Sequence, residues 1–420
     1  MKIPDTPIFS SPLRRITVDL DPLTDVGRES EGCEELGLPR DYRDRVWDAV
    51  ERWYRTGTQP FVSLCVRKQG SMVIHRSLGH RHGTWSKNGM GADGEVGSID
   101  TPITVFSASK ALTALLIHGL AEEGVLNLDE RVAHYLPAFA ANGKASITIS
   151  QVLSHQGGFP VMPKGLPPET IFDYERVVDI LMASPLQRPP GRGTAYHAVS
   201  GGYILGALAN TVTGKSLNQI LRKRVCVPLG LPTLRYGAPL NGQSRVATNY
   251  NTGGVHRWPV SSLIERTLGA DWNTVVELSN QPGFLSTTVP AGNAIGTASE
   301  WGLLMELLLN QGRIGDVQVF APDTLRRVTQ FKAGSILDGT LFVPSRFSEG
   351  LMLGANPVSL FGPMTKDALG HLGFINIFCW ADPSRDLSVA LLSTGKSLFG
   401  LHLAELMRVL FAINRAPRAR

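Results

Sequence analysis

Between Val46 and Tyr54, the side chains Val46, Trp47, Val50, Trp53 and Tyr54 recur at i, i+1, i+4, i+7 and i+8. That spacing is one face of a helix, closed by Gly57. The period then changes. Phe61–Val66 and Met72–Ile74 are β-rich runs on either side of Lys68-Gln69-Gly70, which predicts a hairpin. Arg81–Gly97 is rich in Gly, Asn and Asp and reads as loop. A helix is predicted over Thr104–Gly124, with Leu112, Leu115, Leu116 and Leu120 as its buried stripe and Gly124 as its end.

From about 125 to 285 the helical segments are short and broken by Pro and Gly. Examples are Ile149–Leu153, Asp173–Met182, Gly202–Val212 and Leu217–Cys226. A further helix is predicted over Ala298–Leu309. Phe374–Ala381 and Leu387–Leu392 read as strands around the turn sequence Asp382-Pro383-Ser384-Arg385, and Leu398–Ile413 as a closing helix. Strands at both ends and helices between them predict an α+β chain with a helical insertion beside its sheet. The boundaries expected are 41–124 with 285–420 for the sheet domain and 125–284 for the helical one. Residues 1–40 carry five prolines and no clear period. They read as an extended arm or lid outside the core.

Composition narrows the function classes. Of the 420 residues 43% are hydrophobic and 18% charged, which excludes a mainly disordered chain. The 41 basic residues against 36 acidic ones give +5. Apart from Arg222-Lys223-Arg224 and Arg415, Arg418 and Arg420 they are dispersed, so no nucleic-acid partner is expected. The four cysteines lie far apart without a CxxC pair. Free thiols are expected, with no metal site and no cofactor. No run of 18 apolar residues and no signal-peptide stretch appears, so no membrane span is expected and the location is expected to be cytoplasmic.

Some motif matches lack their context. Gly89–Gly94 fits GxGxxG but sits in a polar loop with Asp93 and Glu95, which would repel a pyrophosphate. Gly214-Lys215-Ser216 and Gly395-Lys396-Ser397 lack the leading glycine of a P-loop. Ser393-Thr394-Gly395-Lys396 is an SxxK pair with no helix immediately after it. No HExxH or GxSxG occurs.

Ser107-Ala108-Ser109-Lys110 is an SxxK pair at the expected start of a helix. There, i and i+3 side chains share a face, and orphan N–H groups stabilise an oxyanion. A serine needs a neighbouring base, and an amine or a phenolate within reach serves. Pro189-Pro190-Gly191-Arg192-Gly193-Thr194-Ala195 delivers Tyr196 just before a helix. Its oxygen would need a nearby cation, such as Lys110, to act as a phenolate base. Gly370-His371-Leu372-Gly373 stands directly before a strand whose N–H groups suit an oxyanion hole, and Gly373 would let backbone approach a substrate. His155-Gln156-Gly157 matches HxG as well and reads as structural.

As an ordered set these elements resemble the serine β-lactamase and penicillin-binding-protein superfamily, most closely its class C-like (family VIII) carboxylesterases and transesterases. Val152-Leu153-Ser154-His155-Gln156-Gly157-Gly158 is similar to that family's LLSHxxG stretch, and Gly296-Thr297-Ala298 to its GTA stretch. The resemblance covers roughly residues 60–395. It implies an antiparallel sheet flanked by helices, beside a mostly helical domain, with the site between them. It implies Ser107 as the acylated nucleophile, Lys110 and Tyr196 sharing acid–base work, and the N–H groups of Ser107 and Phe374 as the oxyanion hole. His371 and Gly373 take the positions of the substrate-binding third motif. Two departures stand out. Tyr196-His197-Ala198 replaces Tyr-x-Asn, and His371-Leu372-Gly373 replaces Lys-Thr-Gly. Losing an amide and a fixed cation disfavours anionic lactams and peptide carboxylates. The expected substrate is therefore a small neutral ester. A β-lactamase or D-amino-acid-type peptidase is the alternative, as is a catalytically silent scaffold. Acyl chain, alcohol, final acceptor and oligomeric state are not encoded in the spacing.

Overall fold

The computed structural model describes residues 16–418 apart from 84, 87, 88, 91–93 and 255, with the side chains of 85, 86, 89 and 90 also outside the description. The Gly89–Gly94 match and the side chain of Trp85, considered for the site mouth, thus fall largely outside it.

Five helices frame the sheet and the site: α1 (Tyr42–Tyr54), α2 (Ser109–Glu122), α3 (Ser200–Thr213), α4 (Ala298–Leu309) and α5 (His402–Asn414). The main sheet has ten antiparallel strands drawn from both ends of the chain. Its order is Thr24–Val26, Ser71–His82, Phe61–Lys68, Leu387–Ser393, Ile377–Asp382, Leu369–Gly373, Met352–Leu353, Ser345–Phe347 and Ala333–Ser335, with Glu95–Val96 added on Ser71–His82. The hairpin turns at Gln69 and Gly70, at φ +51° and +78°, and its second strand runs past Ile74 to His82.

Alternation along the strands sends side chains to two cores. Val62, Leu64, Val66, Phe378, Trp380, Val389 and Leu391 pack on one face with α1 and α5. Phe61, Cys65, Cys379, Ala381, Ala390 and Leu392 pack on the other with α4. The second set is small because α4 lies close: a Cβ at Gly302 would fall 2.6 Å from Cys65 Sγ. This core continues around α2 into the helices of residues 125–284, so α2 is buried on nearly every side. All four cysteines are buried free thiols.

Three expectations are corrected. Residues 16–40 do not stand off the core. Thr24–Val26 pairs with Arg76–Leu78, and Ile16, Leu20, Cys33 and Leu38 are buried. The apolar residues between the prolines are what the sheet edge takes up. The helix expected from Thr104 begins at Ser109, because Ile103–Thr104 joins a small sheet with Ala294–Gly296 and Arg235–Tyr236. His371–Gly373 lies inside a strand, and a turn at Phe374–Asn376 separates it from Ile377–Asp382. Among the described residues no helix is long and apolar enough to cross a membrane.

Candidate active site

The chain enters the site from a strand. Val105 N–H donates to Ala294 O (2.9 Å), and a 3-10 turn, Phe106–Ala108, then leads into α2. Phe106 sits at φ +48°, a region that costs a non-glycine residue about 1 kcal/mol or more. Ser109 holds that turn: its Oγ donates to Phe106 O (2.5 Å) and accepts from Ala294 N–H (2.9 Å). Half-buried Ser107 is thereby presented one turn ahead of Lys110.

Lys110 is 8% exposed. Its Nζ lies 3.2 Å from Ser107 Oγ and donates to Ala198 O (2.7 Å) and Ala291 O (3.0 Å). The two carbonyls use two N–H groups. In the neutral amine the remaining tetrahedral position is a lone pair facing the serine hydroxyl. Burial lowers the Lys110 pKa to about 7, because desolvation penalises the ammonium. The amine is therefore available near neutral pH.

Tyr196 converges on the same point. It shares a side-chain hydrogen bond with Ser107, and Lys110 Nζ lies 4.8 Å from its ring centroid. The expectation that Lys110 would favour a phenolate is corrected here. Burial, opposed by the Ser107 hydrogen bond and reinforced by Asp338, pushes the phenol well above its ordinary range. At neutral pH Tyr196 is a neutral O–H.

Two residues hold Tyr196 that spacing did not single out for the site. Asp338 is fully buried and its Oδ1 accepts from the N–H groups of Tyr196 (3.0 Å), Thr340 (2.9 Å) and Leu341 (3.0 Å), while Ser345 Oγ donates to Oδ2 (3.3 Å). His155, at φ +59°, accepts from Ala195 N–H through its carbonyl (3.0 Å) and from His197 N–H through Nδ1 (3.1 Å). Its ring lies 4.7 Å from that of Tyr196. His155 therefore clamps the tyrosine loop from the helical side and Asp338 from the sheet side. Gly158 (φ +79°) is required beside it, since a Cβ there would meet Arg188 O at 2.3 Å. The signal for His155 was present in the Ser-His-Gln-Gly run. Asp338 had none, because Asp-Gly-Thr reads as any turn.

Asp338→Ala would leave three N–H groups without their acceptor, each costing about 1–3 kcal/mol if buried. Asp338→Ala is expected to lower the melting temperature by several degrees and kcat by about tenfold or more through misplacement of Tyr196. Asp338→Asn, which keeps an acceptor oxygen, should retain most of both. Thermal unfolding and ester kinetics on the two variants check this.

The third motif abuts the nucleophile turn. A Cβ on Gly373 would fall 1.9 Å from Val105 O. The glycine is thus required by the chain's own packing, where sequence reading assigned it to a substrate. Phe374 (φ +32°) and Ile375 (φ +74°) form the next turn. Phe374 stacks on Phe106 at 4.9 Å and on Trp272 at 4.3 Å. Among the described residues its N–H has no acceptor. His371 is fully buried, and its Nδ1–H donates to Leu372 O (2.7 Å). Nε2 is then an unprotonated acceptor, buried and without a partner among the described residues. Burial, with Lys110 nearby, drops the His371 pKa to about 3. His197 is lowered likewise to about 3, and His155 well below the usual value. The imidazoles around the site are neutral.

The aromatic residues considered for the site mouth divide. Trp272 backs Phe374, Phe159 packs edge-on against Phe139 in the helical region, and Trp258 is exposed. Lys396, from the second SxxK match, is fully buried with Nζ 4.9 Å from the Phe106 ring and donating to Ser393 O (2.6 Å). It braces the nucleophile turn from behind.

Known proteins resemble this chain in sequence and fold. The Beta-lactamase family profile matches residues 50–411. The chain is 28% identical over 305 residues to the esterase/beta-lactamase LipL of Mycobacterium tuberculosis (strain ATCC 25618 / H37Rv), covering 70% of this chain and 69% of that one. It is 28% identical over 301 residues to a putative D-alanyl-D-alanine carboxypeptidase of Escherichia coli (strain K12), covering 67% and 66%. Among solved structures it is similar to a penicillin-binding-protein homologue from Caulobacter crescentus, with TM-score 0.75, 25% identity and coverage of 92% and 99%. It is also similar to a family VIII carboxylesterase, with TM-score 0.74, 25% identity and coverage of 90% and 99%. The chain belongs to the beta-lactamase family and is a serine hydrolase of that fold.

Proposed function

We propose that this protein is a carboxylesterase that works through an acyl-enzyme on Ser107, with acyl transfer to water or to another alcohol. The observation that carries the proposal is Lys110 Nζ, fixed by two carbonyls 3.2 Å from Ser107 Oγ, with burial lowering its pKa to about 7. Lys110 takes the serine proton as Oγ attacks the ester carbonyl. The N–H groups of Ser107 and Phe374 receive the oxyanion. Tyr196, a neutral phenol at the serine oxygen, hands a proton to the departing alcohol and is reprotonated by the Lys110 ammonium. Water or an acceptor alcohol then attacks the acyl-enzyme by the reverse sequence. Base catalysis of this kind supplies about 10²–10⁴-fold, and one oxyanion donor about 10²–10³-fold.

The choice of ester over lactam rests on charge. A lactam or peptide carboxylate needs a cation that is fixed and open to the ligand. His371 is neutral, Ala198 has no amide, and Lys396 is sealed under Phe106. Equal amounts of enzyme given p-nitrophenyl butyrate and nitrocefin are expected to turn over the ester at least about 10²-fold faster by kcat/KM, as two missing polar contacts imply. Faster turnover of nitrocefin would overturn the substrate class and leave the nucleophile assignment standing. Ready labelling of Ser107 by a fluorophosphonate would exclude a silent scaffold.

A further inference from the structure

We propose that the loop joining the last two strands of the sheet docks the protein on an anionic lipid surface. Its strands are Ala333–Ser335, at the sheet edge, and Ser345–Phe347. Within this loop four large apolar side chains face solvent: Ile336 is 92% exposed and Leu337 61%, with Phe342 and Val343 also exposed, while Phe331, 51% exposed, precedes the first strand. Single exposed apolar residues are ordinary, but four in one loop mark an interaction surface.

The charges around the tip select the partner. Arg188 lies against Gly339, whose Cβ would meet its Nη1. Arg346 faces Gly334 across the hairpin with its guanidinium 4.9 Å from the Phe331 ring centroid. Arg192 adjoins Gly193, which packs on Ser335 Oγ. These three arginines are exposed and have no ion pair among the described residues. Acids in the neighbouring segments are already engaged: Asp338 is buried on backbone N–H groups, and Glu349 is taken by Arg327 and Lys332. Apolar residues at a tip, ringed by unpaired cations, match the interfacial layer of a bilayer carrying anionic headgroups. A second copy laid tip to tip would set the same cations against each other.

The surface is also tied to the site. Asp338 and Gly339 lie within the loop; Asp338 accepts from Tyr196 N–H, and Gly339 N–H donates to Thr194 O (2.9 Å). Seating the loop on lipid would thus bear directly on the segment that carries the phenol. Lipid docking does not depend on the ester reading.

Co-sedimentation of the full chain with vesicles of equal phosphatidylglycerol and phosphatidylcholine tests it. Wild type is expected to pellet with these vesicles at low salt, weakly with pure phosphatidylcholine, and to be released at 0.5 M salt. Ile336→Asp with Leu337→Asp should cut partitioning at least about tenfold, and Arg188→Glu with Arg346→Glu should cost about fivefold or more per arginine. Both double variants should hydrolyse soluble p-nitrophenyl butyrate at the wild-type rate, which separates this test from that of the activity. Failure of wild type to pellet, or equal pelleting of the variants, would overturn the proposal. So would a dimer in sedimentation velocity that the aspartates dissolve, since the tip would then be a self-interface.

Discussion

Ser107→Ala is expected to abolish turnover of p-nitrophenyl butyrate, by about 10⁴-fold or more, with the fold intact. The hydroxyl is the atom that forms the covalent bond, so its removal ends the acyl route. The structural cost is small. Ser107 is half-buried, the turn around it is held by Ser109, and Lys110 keeps both carbonyl partners. Circular dichroism and thermal unfolding should therefore match wild type while the burst of p-nitrophenol disappears. Retained turnover would place the nucleophile elsewhere.

Lys110→Met carries the second large effect. Methionine fills nearly the same volume without a base, and kcat should fall about 10³-fold, within the range of general-base contributions. It also strips a donor from Ala198 O and Ala291 O, so some stability is lost. Lys110→Arg separates the two consequences. Its guanidinium stays charged, can still donate to the carbonyls, and presents no lone pair to Ser107. Stability should recover further than activity. In wild type the sign of the pH dependence follows from the direction of the shift. The working form is the neutral amine, so kcat/KM should be flat above the Lys110 pKa of about 7 and fall about tenfold per unit below it. A rate that rises only near pH 10 would contradict a Lys110 amine whose pKa burial lowers to about 7.

The sequence made the site's ingredients legible and its electrostatics illegible. Ser107, Lys110 and Tyr196 could be read because each sits in a short run whose context is local: a helix start, and a Pro/Gly loop before a helix. The role of Tyr196 could not be read, because its protonation depends on burial by segments as distant as Asp338 and Phe347. Gly373 was legible as a required glycine and misread as to what approaches it, since Val105 is far away in the chain. The hydrophobic stripe of α2 was read correctly but understated. A helix enclosed within one core buries Thr113, Ala114, Ile117 and His118 as well, and such a helix has no polar face to set the period. Thr24–Val26 was missed because a three-residue edge strand among prolines has no alternation to detect. Ala298–Leu309 has the bounds expected, and in the structure Thr297 and Glu300 form a capping box at its start.

The mechanism turns on which group accepts the proton of Ser107. Chemical-shift titration of the Lys110 side chain by ¹³C-lysine NMR, with the resonance assigned by its absence in Lys110→Met, measures this directly. The structure leads us to expect a midpoint near 7, from burial of the ammonium. A midpoint near the ordinary lysine value of about 10.4 would leave Lys110 charged at neutral pH and contradict it as the base.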